Sequence, residues 1–83
     1  SRLEVKGAPG TAVTLSCGDQ FMPLTLGPSG VASAVAVPNE CWVWTTAPIT
    51  VVARCESQTC AFKTRTGSTW LVQDETRTLA VSP

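Results

Sequence analysis

Four cysteines, at positions 17, 41, 55 and 60, are the residues of this sequence most able to form covalent or metal bonds. A chain of 83 residues buries only a small core, so an even number of cysteines predicts two disulfides. Disulfides imply an oxidising compartment, and we expect a protein that is secreted, periplasmic, or displayed on a cell or virion surface. The alternatives are free thiols and a zinc site with four thiolate ligands.

This chain contains few residues that could act as general acids or bases. The absence of histidine excludes Ser-His and Cys-His dyads and imidazole metal ligands. Asp74 and Glu75 are the only adjacent acids, and neighbours in a strand point to opposite faces, so this pair indicates a solvated turn. No Cys-x-x-Cys pair and no glycine-rich phosphate loop is present. We therefore expect no enzyme, no catalytic residue, no cofactor and no metal.

The charges and the hydropathy pattern exclude two classes of partner. The formal net charge is zero, and the six lysines and arginines are not clustered, so we expect no nucleic-acid partner. No apolar run approaches the roughly 20 residues of a membrane-spanning helix, and no signal peptide is present, so we expect no direct membrane insertion. We expect residues 1–83 to form a single extracytoplasmic domain, either a mature protein or an excised domain, of unknown oligomeric state.

The elements that position these residues are predicted to be β-strands. Helical periodicity is nearly absent, valine and threonine are abundant, and turn signals recur every eight to ten residues. This pattern predicts an all-β, disulfide-stapled small β-sandwich or partly open barrel of eight or nine short, mostly antiparallel strands. The predicted strands are Leu3–Lys6, Thr11–Cys17, Phe21–Leu26, Val31–Val37, Cys41–Thr46, Ile49–Cys55, Cys60–Arg65, Trp70–Gln73 and Thr76–Val81.

The segment Ile49–Thr66 reads as a β-hairpin closed by its own disulfide. Two alternating runs flank the polar loop Glu56–Thr59, and four-residue loops are common in hairpins. Directly opposed residues have Cα atoms about 4.5–5.5 Å apart, which suits a disulfide, whose Cα atoms lie roughly 4.4–6.8 Å apart. The simplest register pairs Cys55 with Cys60, Ala53 with Phe62 and Val51 with Thr64.

The pairing Cys55–Cys60 leaves Cys17–Cys41 as the second disulfide, and this fixes the direction of two tryptophans. Cys17 shares its strand face with apolar residues, so that face is the core, and Cys41 must meet it there. Since side chains alternate along a strand, Trp42 and Trp44 then point to the opposite face.

Two interpretations of this tryptophan pair remain open. In the structural one the indoles are covered, either by Arg54, Lys63 and Arg65 from the neighbouring hairpin or by Phe21 or Trp70. In the functional one Trp42 and Trp44, with Arg54, Lys63 and Arg65 beside them, form a surface that binds a protein or glycan partner. Tryptophan and arginine are enriched at the energetic centres of interfaces.

The segment Val13–Trp44, VTLSCGDQFMPLTLGPSGVASAVAVPNECWVW, resembles modules of secreted and surface proteins of high-GC bacteria. In those modules a strand ends in Cys-Gly, Leu-Gly and Val-Pro turns follow, and a second strand carries the second cysteine. The resemblance covers under half of the chain and implies an immunoglobulin-like sandwich of stalks and adhesins. The threonine-rich strand of that pattern is replaced here by Trp-Val-Trp, and Cys55 and Cys60 have no counterpart in it.

The segment Cys41–Val72, CWVWTTAPITVVARCESQTCAFKTRTGSTWLV, is similar to the N-terminal domain of filamentous phage attachment proteins. That domain has a Cys-x-Trp strand, a disulfide-closed hairpin, and four cysteines paired first to second and third to fourth. The resemblance implies a small β-barrel that binds a periplasmic domain of the host Tol system. Here the hairpin loop is shorter, Ser68 interrupts the Gly-Trp spacing, and the N-terminal helix of that family has no counterpart.

The sequence thus predicts a non-catalytic protein- or glycan-binding or structural module of a secreted or surface protein. A phage host-attachment domain and a small secreted inhibitor are the alternatives, the inhibitor using Gly27–Gly30 or Glu56–Thr59 as its exposed loop. A partner could also add a strand to a sheet edge. Because Pro23 favours an edge position, Phe21–Leu26 is one such edge, and Thr76–Val81 is the other. Leu3–Lys6 is also predicted to lie at an edge.

Overall fold

The computed structural model describes residues 1–35 and 39–83, which form nine β-strands. The predicted strand Val31–Val37 is described as far as Val35, and the rest of it, with Pro38 of the predicted turn, lies outside the described residues. No helix in the described ranges is long and apolar enough to cross a membrane. In chain order the strands are β1 (Arg2–Gly7), β2 (Ala12–Cys17), β3 (Gln20–Thr25), β4 (Val31–Val35), β5 (Glu40–Thr45), β6 (Ile49–Arg54), β7 (Thr59–Thr64), β8 (Gly67–Val72) and β9 (Thr76–Val81).

The strands form two sheets, which confirms the all-β expectation and selects the sandwich over the barrel. A four-stranded sheet has the order β4-β1-β6-β9, and a five-stranded sheet has the order β3-β2-β5-β7-β8. Every neighbouring pair is antiparallel except β5 and β7, which run parallel. The edge positions predicted for Phe21–Leu26 and Thr76–Val81 are confirmed by β3 and β9. The edge position predicted for Leu3–Lys6 is wrong, because β1 lies between β4 and β6.

The core lies between the sheets and is built from alternate residues of nearly every strand. Since side chains of a strand point to opposite faces, each strand sends every second residue inward. Burying one aliphatic side chain contributes roughly 1.5–3 kcal/mol, so this layer is the main favourable term in folding. Its buried members are Leu3, Val5, Val13, Leu15, Cys17, Leu26, Cys41, Val43, Ile49, Val51, Ala53, Cys55, Cys60, Phe62, Leu71 and Val81.

Both predicted disulfides are present, but they join different kinds of neighbour. Cys17–Cys41 links directly opposed residues of β2 and β5 within the five-stranded sheet, with Cα atoms 4.1 Å apart. Its sequence separation of 24 closes a long loop, which constrains the unfolded chain by about 3–4 kcal/mol. Cys55–Cys60, with a separation of 5 and Cα atoms 5.7 Å apart, closes a short loop with a smaller effect. All four thiols are thereby oxidised, so the alternatives of free or zinc-bound thiols do not apply.

The predicted hairpin Ile49–Thr66 is wrong, although its disulfide is right. β6 belongs to the four-stranded sheet and β7 to the five-stranded sheet, so the loop Glu56–Thr59 crosses from one sheet to the other. Cys55–Cys60 therefore bridges the two sheets rather than two paired strands. The predicted pairs are replaced: Ala53 lies opposite Leu3 and Arg77, Val51 opposite Val5 and Leu79, and Phe62 opposite Cys41 and Thr69. Alternation and a short polar loop fit both arrangements, because in both the two cysteines face the core.

Candidate binding surface

Two of the outward side chains of β5 are tryptophans, Trp42 and Trp44. Cys41 and Val43 are buried on the core side, whereas Trp42 is 38% and Trp44 47% exposed. Their rings lie parallel within 6°, with centroids 5.5 Å apart. Offset stacking of this kind contributes about 0.5–1.5 kcal/mol beyond the buried area and restrains both rings. The predicted direction of Trp42 and Trp44, away from the disulfide, is confirmed.

The side chains of the strands beside β5 leave part of the tryptophan pair exposed to solvent. On β2, the residues opposite Trp42 and Trp44 are Ser16 and Thr14, whose side chains are too small to cover an indole. On the other side, Lys63 of β7 lies opposite Trp42, and its Nζ is 5.5 Å from the ring centroid. This contact has cation–π geometry and covers part of Trp42 only. The structural interpretation, in which neighbouring side chains cover the indoles, therefore holds only for the part of Trp42 under Lys63. Both rings remain exposed to solvent.

Lys63 is held over Trp42 by a carboxylate. Its Nζ lies 2.9 Å from Glu40 Oε1, and Glu40 is on the same outward face of β5, two residues before Trp42. The Lys63 side chain is 27% exposed, which makes it the least exposed cation among the described ion pairs. Its stem therefore covers neighbouring surface while its ammonium reaches both the ring and the carboxylate.

Phe21 and Trp70 share the outward face with the tryptophan pair. Cross-strand partners lie on the same side of a sheet; Phe21 lies opposite Ser16, and Trp70 opposite Ala61. Ser16 faces Trp42, and Ala61 lies two residues before Lys63. Phe21 is 69% and Trp70 62% exposed. Each is about 10 Å from β5, since it lies two strand spacings away.

Four of the five aromatic residues of this chain thus lie exposed on one side of one sheet, and only Phe62 is in the core. We call this surface the aromatic face and define it by Phe21, Trp42, Trp44, Trp70 and the exposed Val72. From the sequence, Phe21 and Trp70 are expected only as side chains that could cover the other rings. Their place in the face depends on the strand order, in particular on the parallel pair β5–β7, for which the sequence has no local signal.

Arg54 is not part of this surface. It lies on β6, in the other sheet, where its Nη1 donates to the Asp74 carbonyl oxygen at 3.3 Å and to Thr76 Oγ1 at 3.2 Å. Its prediction as a neighbour of the tryptophans rested on the hairpin and is wrong for the same reason. Arg65 follows β7, in the exposed turn between β7 and β8, and makes no ion pair with any described residue.

The outward surface of the four-stranded sheet is mostly polar, apart from the exposed Val31 and Val35 of β4. It carries Arg2, Glu4 and Arg54 around a shallow depression of about 470 Å³. Arg2 Nε lies 2.9 Å from Glu56 Oε1, Arg54 Nη2 3.6 Å from Asp74 Oδ1, and Lys6 Nζ 3.2 Å from Glu4 Oε1. The charges of this surface are therefore paired with one another, and within the described ranges no cluster of three potential metal ligands is present.

Glu75 accepts a hydrogen bond from the last residue of β8. Its Oε1 accepts a hydrogen bond from the Val72 backbone N–H at 3.0 Å, and its Oε2 accepts one from Arg77 Nε at 3.1 Å. The Val72 N–H and then the Arg77 guanidinium stabilise the charged form, so the pKa of Glu75 lies below its usual value. This carboxylate links the last residue of β8 to Arg77 of β9, and hence one sheet to the other.

Comparison with protein-family models, with curated proteins and with solved structures found no match to this chain. The two resemblances noted in the sequence therefore remain expectations, and the surface is interpreted from its own chemistry.

Proposed function

We propose that this domain is a non-catalytic binding module of an extracytoplasmic protein, and that it binds a protein partner with the aromatic face. The observation that supports the proposal is the exposure of Phe21, Trp42, Trp44 and Trp70 on one side of the five-stranded sheet. Large exposed apolar patches on soluble proteins mark interaction sites. The two disulfides fit an oxidising compartment, where such modules act.

A folding role does not account for this placement. An aromatic side chain contributes most to folding when it is buried, as Phe62 is, with 1% of its surface exposed. Trp70 and Phe21 leave most of their surface in water, so their contribution to folding is small. Tryptophan at an interface, by contrast, supplies a large contact area at low conformational cost.

The geometry of the tryptophan pair favours a protein partner over a glycan. A sugar ring stacks on a free, flat aromatic face. In Trp42 and Trp44 the parallel rings face each other, and Lys63 lies over Trp42, so much of this stacking surface is occupied within the molecule. What remains is an uneven apolar surface with small residues between the rings, which suits the side chains of a protein.

The test is a selection of binders followed by matched substitutions. The domain is presented to a display library of extracellular protein fragments and, separately, to a glycan array. Kd values are then measured for Trp44→Ala, for Trp70→Ala and for the control Val35→Ala, an exposed apolar residue on the outer side of the four-stranded sheet.

We expect protein binders whose Kd rises about 30-fold for at least one tryptophan variant, the change typical of an interface hot spot, and stays unchanged for Val35→Ala. Binders that respond to Val35→Ala and to neither tryptophan variant would falsify the proposal. Tryptophan-dependent binding to the glycan array alone would replace the protein partner with a glycan.

A further inference from the structure

The four edge strands of the sandwich differ in how well their edges are protected. Open edges bind other strands, and proteins guard them with proline, charge or short length. β3 contains Pro23, β9 contains Arg77 with its ion pair to Glu75, and β4, described as far as Val35, carries no aromatic side chain. β8, with the sequence GSTWLV, has neither proline nor charge and carries Trp70 and Val72. Among the described edge strands, β8 is therefore the one that lacks proline and charge and also carries an aromatic side chain able to pack on an added strand.

The hydrogen-bonding groups that β8 turns outward can be read from its neighbours. The Ala61 N–H donates to the Asn39 carbonyl at 2.7 Å, away from β8, so Ala61 and Trp70 form a non-hydrogen-bonded pair. The N–H and C=O of Trp70, and those of Ser68 two residues earlier, thus point to the outer edge. Val72 has the same direction, but its N–H and C=O are bonded to Glu75. No described strand pairs with the outer edge of β8, which leaves Ser68 and Trp70 able to bond a further strand.

The charged residues near the edge of β8 indicate which strand could pair with it. Arg65, before β8, is the one lysine or arginine that makes no ion pair within the described residues. Asp74, after β8, meets Arg54 at 3.6 Å through Oδ1 and keeps a 75% exposed side chain. An antiparallel copy of β8, centred on Thr69, places Ser68 opposite Trp70 of the second copy, and Arg65 opposite its Gln73, beside its Asp74. The edge is thus complementary to itself, and the zero net charge opposes no association.

We propose that β8 binds β8 of a second copy of this chain, antiparallel and around a two-fold axis at Thr69. Four backbone hydrogen bonds join Ser68 and Trp70 of each copy, and each Arg65 meets the acidic turn of the other copy. The two five-stranded sheets become one ten-stranded sheet, in which the two aromatic faces lie on the same side. This isologous arrangement closes on itself and stops at the dimer.

The first test removes the outward N–H of Ser68. Sedimentation equilibrium is recorded from micromolar to millimolar protein for the wild type, Ser68→Pro and Ser68→Ala. Proline is tolerated at an edge position whose N–H faces solvent, and alanine retains the N–H. We expect a wild-type dimer, an unchanged Kd for Ser68→Ala, and a Kd raised about tenfold or more for Ser68→Pro, since each dimer loses two donors. A wild type that stays monomeric at millimolar concentration overturns the proposal.

Folding and register are checked with separate variants. Thermal unfolding of Ser68→Pro below the dimer Kd shows whether the monomer is intact. If Ser68→Pro is misfolded, the charge pair decides: Arg65→Glu should weaken the dimer about tenfold, and adding Gln73→Lys should restore it, because the two positions face each other across the axis. A dimer that is indifferent to Arg65→Glu excludes this register and with it the proposed interface.

Dimer formation and partner binding are separable. Trp44→Ala lies away from the β8 edge and should leave the dimer Kd unchanged while it weakens binding of the selected partner. Ser68→Pro should weaken the dimer and leave the Kd of the selected partner for a single site unchanged. Loss of the dimer therefore leaves the proposed function standing, and loss of partner binding leaves the dimer standing.

Discussion

The two outer surfaces of the sandwich obey the same alternation and differ in almost every other respect. The four-stranded sheet turns threonines, paired charges and the valines of β4 outward, and Arg2, Lys6 and Arg54 each have a carboxylate within 4 Å. The five-stranded sheet turns aromatic rings outward. The alternation of a strand decides which side chains point outward. The chemical types of those side chains then decide whether the surface is favourably exposed to water.

The two outer surfaces also differ in whether their exposed groups have interaction partners within the molecule. The charges of the four-stranded sheet are screened by solvent and bonded to each other, so each ion pair contributes little and no partner is required. Among the described residues, the aromatic face has one cation–π contact and one ring stack, and Trp42 takes part in both. Its outlying rings, Phe21 and Trp70, are where a partner would gain most by excluding water.

The largest expected effect tests whether the aromatic face serves folding. Phe62→Ala removes the one core aromatic and should lower the free energy of unfolding by about 3–5 kcal/mol, because it leaves a cavity. Trp70→Ala, on the aromatic face, should cost less than about 1 kcal/mol, because most of its surface is already in water. Urea denaturation of both variants measures the difference. Equal losses would make Trp70 a structural residue and remove the contrast between the two outer surfaces.

The sequence predicted the parts of this contrast that depend on alternation alone. The buried Cys17 and Cys41, and the outward direction of Trp42 and Trp44, follow from a period of two and one disulfide. The pair Cys55–Cys60 was predicted from a hairpin that does not form, yet it is right because the short loop keeps both cysteines facing the core, and Cys17–Cys41 then follows by elimination.

The sequence could not predict which strands are neighbours, and the errors have that single cause. A short polar loop after Arg54 fits a hairpin and a crossing between sheets equally well, so Arg54 was assigned to the wrong surface. The parallel pair β5–β7 brings Trp70 to the same side as Trp42, and it depends on long-range packing of Phe62 and Cys41 rather than on any local turn signal.

A smaller effect is expected at the turn that leads into the four-stranded sheet. Gly30 has φ +71°, and a Cβ there would lie 2.5 Å from the carbonyl oxygen of Gly7, whose N–H donates to the Gly30 carbonyl. Gly30→Ala should lower the free energy of unfolding by about 2–3 kcal/mol, since it adds a clash to an unfavourable backbone conformation.

Gly10→Ala is the matched control for this turn. Gly10 also has a positive φ, +87°, but a Cβ there meets nothing within 4 Å, so only the conformational cost of about 1 kcal/mol remains. Thermal unfolding compares the two variants. Since Gly30 lies in the turn that leads into β4 of the other sheet, the folded fraction of Gly30→Ala should bind a selected partner with wild-type Kd. A weakened Kd would show that the two surfaces are coupled.

The smallest effect concerns Glu75, the carboxylate that joins the two sheets. Its pKa in the folded protein lies below the usual value of a glutamate, first because of the hydrogen bond from the Val72 N–H and then because of Arg77. A lowered pKa means that the folded state favours the charged form. The associated stability is therefore complete above the unfolded pKa and is lost as the pH falls through the lowered folded pKa.

Glu75→Gln should remove this acid-induced loss, so that the variant is less stable than the wild type at neutral pH and the two converge in acid. Chemical denaturation at neutral pH and at several acidic values measures the convergence, with Glu4→Gln as a control on the outer surface of the four-stranded sheet. Because Glu75 also accepts the hydrogen bond of the Val72 N–H at the edge of β8, protonation of Glu75 should weaken that bond and make this donor more available. Acid should then favour pairing of β8 edges in the wild type, whereas a dimer Kd that weakens in acid would show that Arg65 and its carboxylate partners outweigh the added donor.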